Sequence, residues 1–264
     1  MPILPPNHLA RIANFYSPKL KEFRYFLEKI VENCDESLRR ANRLEADSDP
    51  TGGPLTYSFS AFTNTVQTLK DITGKLLPEM MPWSKIKALR HGTFLYLARN
   101  AMTHDGDTIV TMWVNGYYFV PSKIVREDQK GNVVEIIPPV EDVKQFCLEF
   151  AVDFINLIVA TLEQVADDER LSMSILDIDD LDQIYQNNRH VPEFVIALMR
   201  EQRSQIEQAM QSMTVPRIAN AITLANEIAA YCNEQLANVS NAKYYPVADL
   251  SGTDEGHKQR MSVK

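Results

Sequence analysis

Residues 143–162 read VKQFCLEFAVDFINLIVATL, the most apolar long stretch of the chain. Its large apolar residues recur at steps of three and four, as Val143, Phe146, Phe150, Phe154, Ile158 and Leu162. This spacing predicts one face of an α-helix of roughly 24 residues. Lys144, Glu149 and Asp153 interrupt the apolar run, so we expect a core helix and not a membrane span.

The same helical period recurs upstream and predicts three further helices. They cover residues 20–44, residues 59 to about 78, and residues 83 to about 106. The segment ADSDPTGGPLTYS contains two prolines and two glycines, and it predicts a loop over residues 46–57.

Between the third and fourth helices the period changes from helical to alternating. TIVTMWV, Asn115-Gly116 and YYFVPSKIV read as a β-hairpin, because Asn-Gly is the strongest two-residue turn signal. A second turn at Lys130-Gly131-Asn132 leads into VVEII. We therefore expect a three-stranded meander inserted at about residues 108–138.

These patterns together predict a mainly α fold: an antiparallel helical bundle over residues 15–166 with the small β-hairpin or meander as an insertion. Residues 167–245 begin with an acidic connector, whose DIDDLD run indicates a solvated loop and helix cap. A C-terminal helical hairpin follows at about 191–213 and 216–239. The polar residues 246–264 predict a disordered tail.

The composition of the chain argues against several classes of function. The 264 residues carry a net charge of −8, which argues against non-specific coating of nucleic acid but is compatible with a local basic site. Cys34, Cys147 and Cys232 are far apart and form no CxxC pair, which predicts neither disulfides nor a zinc site. With no signal-like N-terminus, we expect a soluble cytoplasmic protein that does not enter a membrane.

The candidate site lies in YLARNAMTHDG, residues 96–106, where Arg99, Asn100 and His104 end an apolar helical segment. No Asp or Glu occurs from Met80 to His104, so the segment forms a basic island that suits an anionic ligand such as phosphate. Its candidate ligand-binding residues are Lys85, Lys87, Arg90, Tyr96 and Thr103.

Geometry complicates this interpretation. Residues five apart on a regular α-helix are separated by about 140°, so Arg99 and His104 would face different directions. Fraying at Asp105-Gly106, or a second protomer, would be needed to bring them to one ligand. A structural alternative is a cation pair favoured by the dipole at the end of a helix.

The motif resembles the signature of the HEPN superfamily, an Arg followed by a polar residue, with a His four to six residues later. It is Arg99-Asn100-Ala101-Met102-Thr103-His104 here, late in a helical bundle, and the resemblance covers residues 15–166. Many HEPN domains are metal-independent endoribonucleases whose motifs meet across a dimer. The resemblance implies RNA as substrate, a homodimer with a composite active site, and no cofactor or metal.

The side chains suit the implied reaction. RNA supplies its own nucleophile, the 2′-hydroxyl, so cleavage needs proton transfer and stabilisation of phosphorane charge. His104 is the candidate acid and base, and Arg99 is the candidate for charge stabilisation. Asn100 would orient a phosphate or the His.

The resemblance also implies a toxin–antitoxin or anti-phage setting, with an antitoxin or other protein as partner. Related toxins with a nucleotidyltransferase antitoxin often carry Tyr two residues after the motif His. Here that residue is Gly106, so no such modification is predicted. Two alternatives stay open: a non-catalytic HEPN-like bundle that binds a nucleotide or protein, and a helical scaffold in which the motif is accidental.

Overall fold

A computed structural model of the chain describes residues 7–45, 53–77, 79–106, 108–121, 123–127 and 131–242. Its elements in the N-terminal part are α1 (His8–Asn14), α2 (Tyr16–Asn42), α3 (Gly53–Leu76), α4 (Trp83–Lys87), α5 (Gly92–Asn100) and one turn of π-helix (Ala101–Asp105). Four short strands follow: β1 (Met112–Val114), β2 (Tyr117–Phe119), β3 (Ile124–Glu127) and β4 (Val133–Ile136). The remaining helices are α6 (Val143–Glu163), α7 (Glu169–Ser172), α8 (Ile178–Asn187), α9 (Glu193–Glu201), α10 (Arg203–Ser212) and α11 (Arg217–Ala242).

The fold is mainly α, as predicted, and α6 is its core helix. Helix α11 packs along α6 and α2, while α2 packs along α3. The centre of this bundle is aromatic: Tyr16, Phe23, Phe59, Phe62, Phe146, Phe150 and Phe154 are all fully buried. Among the described residues, α6 alone is long and apolar enough to cross a membrane, but 61% of its apolar window is buried inside the protein. Its apolar residues therefore pack in the protein core.

The second predicted helix begins earlier than expected. Residues 53–57, predicted as loop, form the first turns of α3. Pro54 is compatible with this because proline has a helical φ, and the first turn of a helix needs no N–H donor. The rest of that predicted loop, residues 46–52, lies outside the described residues.

The prediction of one helix over residues 83–106 is wrong. A turn at residues 88–91 separates α4 from α5, and His91 within it has a left-handed φ of 59°. The two helices approach so closely that a Cβ on Gly92 would lie 1.9 Å from the carbonyl oxygen of Ile86. Tertiary packing therefore bends the chain where hydrophobic periodicity indicated a continuous helix.

The β insertion forms two separate hairpins instead of a three-stranded meander. β1 pairs with β2 and β3 pairs with β4, both antiparallel. The Asn115-Gly116 turn is confirmed, with positive φ of 50° and 88° at its two residues, as a type I′ turn requires. Pro121 follows β2 and lacks an N–H donor, which explains why the strand does not continue into β3.

The C-terminal region differs from the predicted hairpin. Residues 193–212 form two short helices, α9 and α10, which pack on each other and on α8, while α11 joins the bundle. The acidic run caps α8 as predicted, with the Asp177 carboxylate accepting from the Asp180 N–H at 2.7 Å. The predicted disordered tail, residues 246–264, lies outside the described residues.

Candidate functional site

The Arg99–His104 motif spans the junction between α5 and the π-helical turn. Asn100 is the last residue of α5, and Ala101–Asp105 form the turn. The N–H of Gly106 donates to the carbonyl oxygen of Ala101, five residues back, which is the hydrogen-bond pattern of a π-helix. Single π turns within α-helices occur frequently at functional sites.

This π turn bears on the angle between Arg99 and His104 about the helix axis. A π turn closes over five residues, so residues five apart in it lie nearly one above the other. Arg99 lies in α5, before the turn begins at Ala101, so the turn covers only part of the step from Arg99 to His104. Among the described residues, however, no hydrogen bond joins the two side chains.

His104 and Thr103 are exposed to solvent at the end of the motif. The next residue, Asp105, is held by Arg126 of β3, whose Nη2 donates to Asp105 Oδ1 at 2.8 Å. Gly106, with φ of 69°, then turns the chain away. His104 is thus presented at the surface by a backbone that is fixed on both sides.

Arg99 lies deeper than His104 and is half-buried. Its Nη1 donates to Asn100 Oδ1 at 3.0 Å, so Asn100 orients the Arg within the same chain. The Nε of Arg99 is buried and has no acceptor among the described residues. Nor does any described carboxylate form an ion pair with Arg99, so its positive charge is left uncompensated.

An aromatic platform lies beside Arg99. The Tyr96 ring packs against the Trp83 ring with centroids 4.7 Å apart, and Lys87 Nζ sits 3.8 Å from the centre of the Tyr96 ring. Trp83, Tyr96 and Arg99 line the same cavity of about 10 Å³, which has room for no more than about one water. The motif therefore belongs to an open surface and not to a closed pocket.

In the folded protein, only some of the cations in the basic island lack an acidic partner among the described residues. Lys85 is exposed and Lys87 half-buried, and neither forms an ion pair with a described carboxylate. Arg90, by contrast, binds Glu149 of α6 at 2.9 Å and Glu141 at 3.2 Å. These two acids lie more than 50 residues from Arg90 in the chain. The absence of Asp and Glu near Arg90 in the sequence therefore did not indicate that its charge is paired.

Two features of this region were not predicted from the sequence. Trp83 was not among the candidates, although an aromatic residue at the start of a basic segment is a usable signal for base stacking. The second feature is a cluster of His91, Glu141 and Glu149, whose ligand atoms all lie within 4.8 Å of one another. No spacing rule finds such a cluster, because a tertiary contact assembles it.

In comparisons with known proteins, no family model, curated protein or solved structure matches this chain. The resemblance to HEPN domains thus rests on the motif and on the helical setting in which it lies.

Proposed function

We propose that this protein is a metal-independent endoribonuclease of the HEPN type, with Arg99 and His104 at its active site. The observation that carries the proposal is the π-helical turn with its exposed His104, which follows an Arg99 that forms no ion pair with a carboxylate of the described residues. A cation to stabilise the phosphorane and an accessible imidazole to move the proton are the minimum that cleavage of an RNA phosphodiester requires.

The chemistry proceeds through attack of the RNA 2′-hydroxyl on the adjacent phosphorus. An imidazole of His104 removes the 2′-hydroxyl proton, and the bond from phosphorus to the 5′-oxygen breaks as that oxygen receives a proton. The products are a 2′,3′-cyclic phosphate and a 5′-hydroxyl. Arg99 stabilises the charge on the phosphorane. In a homodimer, His104 of one protomer acts opposite Arg99 of the other, and the same imidazole returns the proton to the departing 5′-oxygen.

The surroundings of the motif favour a polymer over a small nucleotide as ligand. A cavity of about 10 Å³ cannot enclose a nucleotide, whereas an open surface admits a strand. Lys85 and Lys87 offer positive charge for the backbone of such a strand. Thr103 is exposed next to His104 and is placed to contact the same strand.

One observation favours the alternative of a non-catalytic binding module. The Nε of Arg99 is buried, and Asn100 occupies one of its terminal nitrogens. An Arg held in this way would bind a phosphate through its remaining nitrogen without stabilising a transition state. In that case the surface would bind RNA or a protein and leave it intact.

The experiment is cleavage of end-labelled RNAs in excess EDTA by the wild type, Arg99→Ala and His104→Ala. Loss of general acid–base catalysis costs about 10²–10⁴-fold, and loss of the charge-stabilising donor about 10²–10³-fold. His190→Ala removes an exposed His between α8 and α9 and is the matched control, expected to cleave at the wild-type rate.

An inert wild type that still binds RNA would overturn the nuclease proposal in favour of the binding module. A toxin or anti-phage role in the cytoplasm, with an antitoxin as partner, would follow from an active enzyme. Growth arrest on expression of the wild type but not of His104→Ala would support that role.

A further inference from the structure

A cluster of charged side chains joins the turn between α4 and α5 to one face of α6. His91 Nε2 lies 2.8 Å from Glu149 Oε2, and Arg90 Nη2 lies 2.9 Å from the same oxygen. Arg90 Nη2 also lies 3.2 Å from Glu141 Oε1. The side chains of His91 and Glu149 are only 11% and 10% exposed, so the Glu149 carboxylate interacts with its partners through a medium of low polarity.

The backbone is arranged to place His91 in this cluster. Its φ of 59° is left-handed, which costs a residue with a side chain about 1–2 kcal/mol. The imidazole packs near the Phe146 ring, with centroids 6.0 Å apart, and reaches Glu149 one turn further along α6. An unfavourable conformation that persists indicates that the side-chain contacts hold it in place.

The net charge of the cluster favours binding of a cation. Glu141 and Glu149 carry two negative charges against one positive charge on Arg90, so with a neutral His91 the cluster has a net charge of about −1. The Arg90 side chain is 53% exposed and can turn into solvent at little cost. Gln145 Nε2 donates to Glu149 Oε1 at 2.8 Å, the kind of outer contact that orients metal-binding carboxylates.

We propose that His91, Glu141 and Glu149 bind a divalent transition metal, with Zn²⁺ as the preferred ion. Their ligand atoms already lie within 4.8 Å of one another, so a small contraction brings all three to bonding distance. One imidazole nitrogen with two carboxylate oxygens suits Zn²⁺, whereas Mg²⁺ favours an all-oxygen set. The ion replaces the Arg90 guanidinium and fastens the α4–α5 turn to α6. This site is independent of the proposed ribonuclease, whose chemistry uses no metal.

Calorimetric titration of the chelator-treated full chain with Zn²⁺ tests the proposal. We expect one ion per chain and much weaker binding of Mg²⁺. Glu149→Gln and His91→Gly each remove a ligand, and should weaken binding by more than the roughly 10- to 100-fold that loss of an outer contact costs. Glycine is chosen at position 91 because it adopts a positive φ without strain, so the variant folds.

Two further variants separate a metal site from a simple ion-pair network. Arg90→Ala removes the competing guanidinium and should tighten Zn²⁺ binding by up to about fivefold, the equivalent of an exposed ion pair worth at most about 1 kcal/mol. His190→Ala, at an exposed His outside the cluster, should bind as the wild type does. The absence of Zn²⁺ binding by the wild type, its survival in His91→Gly and Glu149→Gln, or its weakening in Arg90→Ala would each overturn the proposal.

The three cysteines do not compete for the ion in the folded protein. Burial raises the pKa of the Cys34, Cys147 and Cys232 thiols, so they stay protonated and inaccessible. Substitution with Co²⁺ checks this directly, because thiolate ligands give a charge-transfer band that nitrogen and oxygen ligands lack. Such a band would contradict the assignment to His91, Glu141 and Glu149.

Discussion

Gly106 shows how a single residue determines the way His104 is presented. It has a φ of 69°, and its N–H closes the π-helical turn by donating to Ala101. A Cβ at this position would meet no atom within 4 Å. The need for glycine is therefore a matter of backbone conformation alone, without any steric contact.

We predict that Gly106→Ala lowers the free energy of unfolding by about 1–2 kcal/mol, the cost of a left-handed conformation for a residue with a Cβ. Gly106→Asn is the matched comparison and should lose less, because Asn tolerates this conformation better. Urea unfolding measures both. Equal losses in the two variants would contradict the conformational explanation.

At the scale of elements, the close contact between α4 and α5 positions both candidate sites. The metal-binding candidate His91 lies in the turn before α5, and the Arg99–His104 motif lies at the other end of that helix. The contact depends on Gly92, where any side chain would meet the Ile86 carbonyl. Backbone atoms cannot move aside as a flexible side chain can.

Gly92→Ala is accordingly expected to cost about 3 kcal/mol or more in stability, at the upper end of the range for overpacking. Ser84→Ala, on the exposed side of α4, is the control and should change stability by less than about 0.5 kcal/mol. Thermal and urea unfolding give both values. A loss below about 1 kcal/mol for Gly92→Ala would show that α4 and α5 separate easily.

At the scale of the whole molecule, we propose a homodimer in which the motifs of the two protomers meet in one cleft. Two copies would place the His104 imidazole of each protomer opposite the Arg99 of the other. The exposure of His104 and Thr103 is compatible with such an arrangement. The proposal requires that Arg99 of one protomer act with His104 of its partner.

Mixing the two inactive variants tests this arrangement. A heterodimer of Arg99→Ala with His104→Ala retains one Arg99 and one His104 on opposite protomers, so it should recover up to about a quarter of the wild-type cleavage rate. Cleavage of labelled RNA after mixing and re-equilibration measures the recovery. If the wild type is active but the mixture stays inactive, both residues act within one chain.

Local patterns in the sequence were sufficient for the mainly α class and for particular elements. The recurrence of Phe146, Phe150 and Phe154 identified α6, because burial of one helical face imposes a period of 3.6 residues. Asn115-Gly116 identified the first hairpin, because few other pairs adopt positive φ twice. The Arg99–His104 motif was visible for the same reason, since its residues are close in the chain.

Only the tertiary structure decided the features that depend on distant residues. It divided the third predicted helix at His91-Gly92, where the packing of α5 on α4 outweighs hydrophobic periodicity. It placed Glu149 beside Arg90 and His91, which removed part of the basic island and assembled a cluster of metal-binding side chains. The sequence determined what each segment buries, whereas the packing of those segments determined which charges meet and which side chains, such as His104, stay exposed.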